Sequence, residues 1–362
     1  MQGIVWTHAG IEDECCAEIN RLIGQKSEIV GQALIFPIKN KKELCKVCYA
    51  SRTIRGAVLL IKRCGKKDLE KTILGTDFSK WIKGTFAARV KRLDSSAEDI
   101  TDAVVGEWIK TDAKVDLDKP DTTVAVIASS PECFIGIDFA GIDLGKRDYK
   151  IFSGRQSLKG SLAAGMLNIA EFGREKTMLD PFGRDGVIAI EAGLWREGKS
   201  PHYYSKEKFL FNRLKVLTQK EFDDLDNGEN KEGKDAGNIT VYDSTFHNVS
   251  SIKKNAKIAG VHINVSRIDI DWLDIKLDEE SVDCIVSYPP QLSARSDEKS
   301  ILKLYNELFH QAEYTLRKGS KMVIAMRSER TIGQVKTSLK LIRATTTYQG
   351  EEKILLYSYQ KL

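Results

Sequence analysis

Four short stretches of this chain set an acid or a rigid turn directly after a run of strand-forming residues. Met178-Leu179-Asp180 leads into the loop Pro181-Phe182-Gly183-Arg184-Asp185-Gly186. Ile239–Asp243 ends on an acid, and Ile263–Ile268 is followed by Asp269. Val282–Val286 runs through Ser287 into Tyr288-Pro289-Pro290-Gln291. Open α/β sheets gather ligand chemistry at the carboxyl ends of buried strands, so the four stretches point at one sheet edge.

Each stretch suits a specific task. Gly183 and Gly186 allow close backbone approach, and a helix starting there offers N–H groups to polar ligand atoms. Asp180 stands just past the first strand. Asp243 can accept both hydroxyls of a ribose. Asp269 can accept an adenine amino group, with Asp271 and Asp274 competing for that part. Two prolines cannot continue a ladder, so Tyr288-Pro289-Pro290-Gln291 forms a stiff gate at a pocket mouth. Beside it, Tyr288 or Gln291 can stack on a flipped base or accept from its exocyclic amine. Each stretch also has a plainer reading. The glycines suit packing, Asp243 suits a helix cap, and the proline pair suits a structural turn. Together they imply a nucleoside-bearing ligand and a methyl transfer to an amine. An activated sulfonium methyl needs alignment and no metal. The five histidines show no ligand spacing, and no GxSxG, HExxH or GxxxxGK[ST] motif occurs.

The elements that position these residues alternate between strand and helix. A small-residue helix opens around Ser157–Ala170, ahead of the strand Thr177–Leu179, and Gly186–Trp195 reads as a helix. Val249, Ile252, Ala256 and Ala259 share one helical face closed by Gly260. A helix over Ile301–Leu316, a strand over Lys321–Met326, a helix over Ile332–Leu339 and a hairpin of Ala344–Tyr348 with Lys353–Tyr359 follow. This order implies a mostly parallel sheet with an antiparallel edge.

Residues 1–60 read as strand, helix, strand, helix, and Gly56–Arg63 as a further strand. Thr85–Val90 is a strand ending in Lys91-Arg92. A helix over Ala97–Ile109 is capped by Ser95 or Ser96, with Asp99 in its first turn. Thr122–Ser129 and Cys133–Asp138 form a hairpin. Arg89, Lys91 and Arg92 make either a solvated rim or a contact for a phosphate backbone. Residues 196–237 read as a long connection. Its first part, His202 to Arg213, is aromatic and basic, with Lys206 and Arg213. Its second, Asp223 to Gly237, has loop composition.

The 362 residues suit two or three domains, and the net charge of +5 neither demands nor excludes nucleic acid. Seven scattered cysteines read as reduced and intracellular, with Cys45 and Cys48 a structural pair rather than a metal site. No secretory signal and no membrane-length apolar run is visible.

Taken with their motifs, the residues resemble the THUMP-domain RNA methyltransferases that modify guanine at N2, over nearly the whole chain. Arg155-Gln156-Ser157-Leu158-Lys159-Gly160 through Met166 is similar to the family's lead-in to the cofactor site. Asp180-Pro181-Phe182 is similar to its Asp-Pro-Phe/Met motif, and Ile188-Ala-Ile-Glu-Ala192 to the helix that follows. Asn255-Ala-Lys-Ile-Ala-Gly260 resembles its Asn-Ala-Xaa-Xaa-Ala-Gly segment, and Asp269 its adenine-side acid.

The resemblance implies a ferredoxin-like part at 1–60, a THUMP domain at 61–150 and a Rossmann-like class I methyltransferase domain at 155–362. It implies S-adenosylmethionine as cofactor, structured RNA (commonly tRNA) as substrate, and a cytoplasmic setting. Asp180, Phe182, Gly183, Gly186, Asp243 and Asp269 become cofactor contacts. Arg89, Lys91, Arg92, Lys206 and Arg213 become RNA contacts, and Tyr288 to Gln291 the catalytic turn.

Two motifs depart from the family. Gly183-Arg184-Asp185-Gly186 replaces Cys-Gly-Ser/Thr-Gly, with Arg184 where a glycine belongs, and Gly183 can move the turn one residue earlier. Tyr288-Pro-Pro-Gln291 replaces Asn/Asp-Pro-Pro-Tyr/Phe, as though acceptor and aromatic had exchanged ends. The alternative these departures leave is a methyltransferase-fold protein that binds RNA without catalysis, as a partner subunit.

Overall fold

The computed structural model describes residues 1–94, 100–154, 157–230, 238–292 and 297–362. It divides into two compact units, Met1–Gly145 with His202–Gly228, and Lys146–Pro201 with Glu229–Leu362.

The first unit is built on one seven-stranded sheet. Its strands are β1 (Gln2–Trp6), β2 (Glu28–Val30), β3 (Ala33–Pro37), β4 (Gly56–Gly65), β5 (Phe86–Arg92), β6 (Thr122–Ser129) and β7 (Glu132–Asp138). Their order is β2-β3-β1-β4-β7-β6-β5. Apolar residues alternate between two buried faces. Val5, Leu34, Phe36 and Leu59 pack on one side, and Ile4, Ala33, Ile35 and Val58 on the other. The boundary expected after residue 60 falls inside β4. That strand pairs with β1 through Gly56–Leu60 and with β7 through Val58–Gly65, so no seam separates the two halves.

Helix Lys41–Ala50 starts where expected because the Asn40 side chain accepts from the N–H groups of Lys42 and Glu43. It buries Cys45 and Cys48 completely, and burial pushes both thiols above their usual range. The helix expected over 97–109 is observed as Asp102–Trp108, capped by Thr101. The expected caps Ser95 and Ser96, with Asp99, lie outside the described residues.

The long connection is largely part of this first unit. Phe209 and Phe211 stack at 4.8 Å and, with Phe222, enter its core. Gln219–Glu229 is a helix where loop composition was expected. A reciprocal capping box starts it. The Thr218 N–H donates to the Glu221 carboxylate and the Glu221 N–H to the Thr218 hydroxyl. Phe222 and Leu225 then anchor one face. Residues 231–237 of the expected loop lie outside the described residues.

The second unit carries the sheet that matters for the site. Its strands are β8 (Met178–Asp180), β9 (Ile239–Asp243), β10 (Asn264–Arg267), β11 (Val282–Ser287), β12 (Leu316–Met326), β13 (Lys340–Gln349) and β14 (Glu352–Gln360). The order is β10-β9-β8-β11-β12-β14-β13. The strands from β10 to β12 run parallel, and β14 and β13 close the sheet antiparallel, as the sequence implied. The chain steps outward from β8 to β9 and β10, then returns to β11 on the other side. The β8/β11 boundary is therefore a topological switch point, where a crevice opens at the carboxyl ends.

Helices Gly160–Ile169, Val187–Arg196, Phe246–Ala259 and Glu298–Thr315 flank this sheet. The helix expected over Ile332–Leu339 is only a turn, Ile332–Gln334. The Glu313 carboxylate accepts from the Thr337 hydroxyl and the Ser338 N–H, holding the chain extended into β13.

Candidate active site

Strand order brings the four sequence stretches to one edge. Asp180 ends β8, Asp243 ends β9 beside it, Asp269 follows β10, and Tyr288 follows β11. Asp180 is 1% exposed and accepts from Ser287 Oγ at 2.6 Å and from the Phe182 N–H at 3.1 Å. Ser287 thus ties β8 to β11 across the switch point. Burial pushes the Asp180 carboxyl up to about 7, against the opposing pull of these two hydrogen bonds. Phe182 is half-buried against the neighbouring core.

The Asp243 carboxylate is buried and fully engaged. Oδ1 accepts from the Thr245 N–H and hydroxyl at 2.9 Å each and from Asn248 Nδ2 at 3.0 Å. Oδ2 accepts from the Arg184 N–H and from Asn248 Nδ2, both at 3.0 Å. A ribose diol would have to replace the Asn248 amide here, the one donor on a side-chain amide that can turn away. Asp269 is exposed, and its carboxylate makes no cap bond to the turn Ile270–Trp272 that follows. Asp271 and Asp274 are also exposed, within or just past that turn. The donor and acceptor set at this edge suits a nucleoside-bearing cofactor, with Asp243 and Asp269 on neighbouring strand ends and Phe182 as an apolar wall.

Both loop glycines are needed for packing. A Cβ on Gly183 would lie 2.2 Å from Val241 and 2.8 Å from Ile252, and one on Gly186 would lie 2.9 Å from Ile252. Gly186 also has a left-handed φ of +84°, and so does Arg184, at +53°. The turn therefore does not shift to Gly183 as expected. Arg184 itself takes the conformation that favours glycine. Asn255 holds this loop from behind, donating to the Asp185 carbonyl at 2.8 Å and to the Phe152 carbonyl at 3.0 Å.

The proline turn is bonded inward. Tyr288 is 3% exposed, and its hydroxyl accepts from Arg327 Nε at 3.0 Å. Gln291 is 4% exposed. Its Nε2 donates to the Pro289 carbonyl at 2.6 Å and to the Ala325 carbonyl at 3.3 Å, and its Oε1 accepts from the Arg327 N–H. Tyr305 donates to the Pro290 carbonyl at 2.7 Å. Arg184 lies 5.1 Å from the centre of the Tyr288 ring, with Nε donating to the Tyr288 carbonyl at 2.7 Å and Nη2 to the Pro289 carbonyl at 2.9 Å. The two side chains expected to meet a base thus support the turn, and the carbonyl oxygens of Tyr288 and Pro289 face Arg184. Ser287, Asn248, Tyr305 and Arg327 were not found from sequence. Only Ser287 and Asn248 had a visible signal, as polar residues beside singled-out positions.

All five basic candidates belong to the first unit. Arg89 and Lys91 share a face of the edge strand β5, with Arg92 on the other. Arg89 pairs with Asp102 at 3.5 Å, Lys206 with Asp226 at 2.7 Å, and Arg213 donates to the Pro120 carbonyl at 3.1 Å. Arg213 also lines a cleft of about 380 Å³ with Lys41, Lys80, Trp81, Lys83 and Lys215. Lys41 sits 4.6 Å from the Trp81 ring. This basic, aromatic cleft escaped sequence reading because its lysines are scattered along the chain.

Comparison with known proteins agrees with this geometry. The family described as "RMKL-like, methyltransferase domain" matches residues 147–357, and the THUMP domain matches 66–138. A tRNA (guanine(6)-N2)-methyltransferase of Methanocaldococcus jannaschii is 26% identical over 87% of both chains. The enzyme of the same name from Archaeoglobus fulgidus is 31% identical over 51% of each. Among solved structures, SMU.472 in complex with SAH superposes with a TM-score of 0.79 at 17% identity, covering 100% of this chain and 98% of that one. A THUMP domain thus precedes the catalytic fold, and the chain belongs to the RMKL-like methyltransferase-domain family.

Proposed function

We propose that this protein transfers a methyl group from S-adenosylmethionine to the exocyclic N2 amine of a guanosine in tRNA. The convergence of Asp180, Asp243, Asp269 and the Tyr288–Gln291 turn on one sheet edge carries the reading. The names of the two archaeal relatives support the substrate. Asp243, once Asn248 turns away, and Asp269 would hold the cofactor's ribose and adenine, with Phe182 as the apolar residue nearby. The cofactor supplies a methyl group already activated by its sulfonium. The chain's own task is to align the amine and accept its N–H at the backbone carbonyls of Tyr288 and Pro289. The amine would give up its proton toward solvent, past the Tyr288 and Pro289 carbonyls that oriented it. In the first unit, the cleft around Trp81 and the basic end of β5 contact the RNA backbone. Action on tRNA implies a cytoplasmic setting. No helix among the described residues is long and apolar enough to cross a membrane.

Asp243→Ala tests the cofactor side. Calorimetry with S-adenosylhomocysteine should show affinity reduced about tenfold or more, since a charge-assisted acceptor for the ribose is lost. Unchanged affinity in a folded variant contradicts the assignment of this edge.

A further inference from the structure

The acceptor turn is filled from within. A carbonyl oxygen offers two lone pairs. At Pro289 both are used, by Gln291 Nε2 at 2.6 Å and Arg184 Nη2 at 2.9 Å. The Tyr288 carbonyl holds Arg184 Nε at 2.7 Å. An exocyclic amine reaching the Pro289 carbonyl therefore meets an acceptor already filled, and one donor has to leave for it to bond there.

Gln291 is fixed. It is 4% exposed and tied to Ala325 and to the Arg327 N–H as well. Arg184 is different. It is only half-buried, and its guanidinium stands on a long flexible stem. Its backbone N–H to Asp243 can stay in place while the side chain swings. Arg184 also carries a left-handed φ of +53°, a backbone conformation unusual for a side chain of this size.

We propose that Arg184 is a latch on the acceptor turn. In the free protein it holds the carbonyls that the target amine must use, and it withdraws when RNA enters. This rests on the amine-methylation reading above. A guanidinium leaves two carbonyl acceptors readily only for an anion that can take both its N–H groups, and an RNA phosphate is such a partner. A nucleoside without phosphate offers none. Arg184 thereby becomes a specificity residue, favouring polymeric RNA over small acceptors that carry the same amine.

Two readouts test this. The first is the Arg184 Nε–H resonance, assigned by its loss in Arg184→Lys. It should be protected from exchange in the free protein, and its chemical shift should move when tRNA is added with S-adenosylhomocysteine, as its hydrogen bond passes from the Tyr288 carbonyl to a phosphate. The second compares methyl transfer to tRNA and to free guanosine in wild type and Arg184→Gly, a residue suited to the left-handed backbone. The ratio of tRNA to guanosine rates should fall about tenfold or more in the variant, as one latching interaction is removed. An unchanged ratio in a folded variant, or an Arg184 Nε–H resonance unmoved in the tRNA complex, overturns the latch. Should Arg184→Gly fail to fold, Arg184→Lys, which keeps the charge and loses the fork, should shift the ratio in the same direction. Release of Arg184 without transfer to any guanosine would sink the functional reading and leave the latch. Transfer with Arg184 still bonded would sink the latch alone.

Discussion

Burial changes the chemistry of Asp180 at the strand-end edge. Its carboxyl is raised to about 7 by burial, against an ordinary value near 3.8. Between those values the folded chain keeps a proton that the unfolded chain gives up, so this group's contribution to stability falls as pH rises from about 4 to about 7. Asp138 in the first unit, raised to about 6 by burial, acts in the same sense. Comparing wild type with Asp180→Asn isolates the first group. The melting-temperature difference should move in favour of the variant across that window and stay flat above it. A difference that does not vary with pH would mean the carboxylate is ionised throughout. Sequence showed that Asp180, Asp243 and Asp269 would share an edge, because each follows a buried strand. It could not show that Tyr288 and Gln291 turn inward. That depends on Arg327 and Ala325 at the end of β12, distant in sequence.

At the scale of elements, the cofactor-side loop is held by close packing of the strand β9 and the helix Phe246–Ala259 against Gly183 and Gly186. Gly186→Ala should cost about 1–3 kcal/mol, combining left-handed strain with the clash on Ile252. Denaturant unfolding measures it, and a cost near zero would mean the loop has room to move. The strands were legible because each is an apolar run bounded by an acid, glycine or proline. The helix Gln219–Glu229 was not, because its acidic composition masked a capping box and a pair of apolar anchors. The extended stretch before β13 was missed for a converse reason. Its helical spacing is overridden by the Glu313 carboxylate bonded to Thr337 and Ser338.

For the molecule as a whole, the division of labour is clear within each unit. The second carries the strand-end carboxylates and the proline turn, and the first carries the basic cleft and the β5 edge. Lys80→Glu with Lys83→Glu should weaken tRNA binding and flatten its salt dependence, while leaving S-adenosylhomocysteine affinity unchanged. Arg89→Glu with Lys91→Glu should do the same if the β5 edge contributes. A filter-binding titration across salt concentrations separates the two surfaces, and a pair of reversals without effect removes its surface from the account. The two-unit plan was partly legible. The resemblance separated a leading RNA-binding part from a catalytic part, but nothing in the sequence marked β4 as shared across the first sheet or residues 202–228 as belonging to the first unit's core.

The reaction is tested by transfer of labelled methyl from S-adenosylmethionine to unmodified tRNA by the chain alone, with the digested nucleosides identified. Label should appear in N2-methylguanosine and be lost in Asp243→Ala. Cofactor and tRNA both bound with no labelled guanosine would contradict it, and would mark the chain as an RNA-binding methyltransferase fold that needs a partner or does no catalysis.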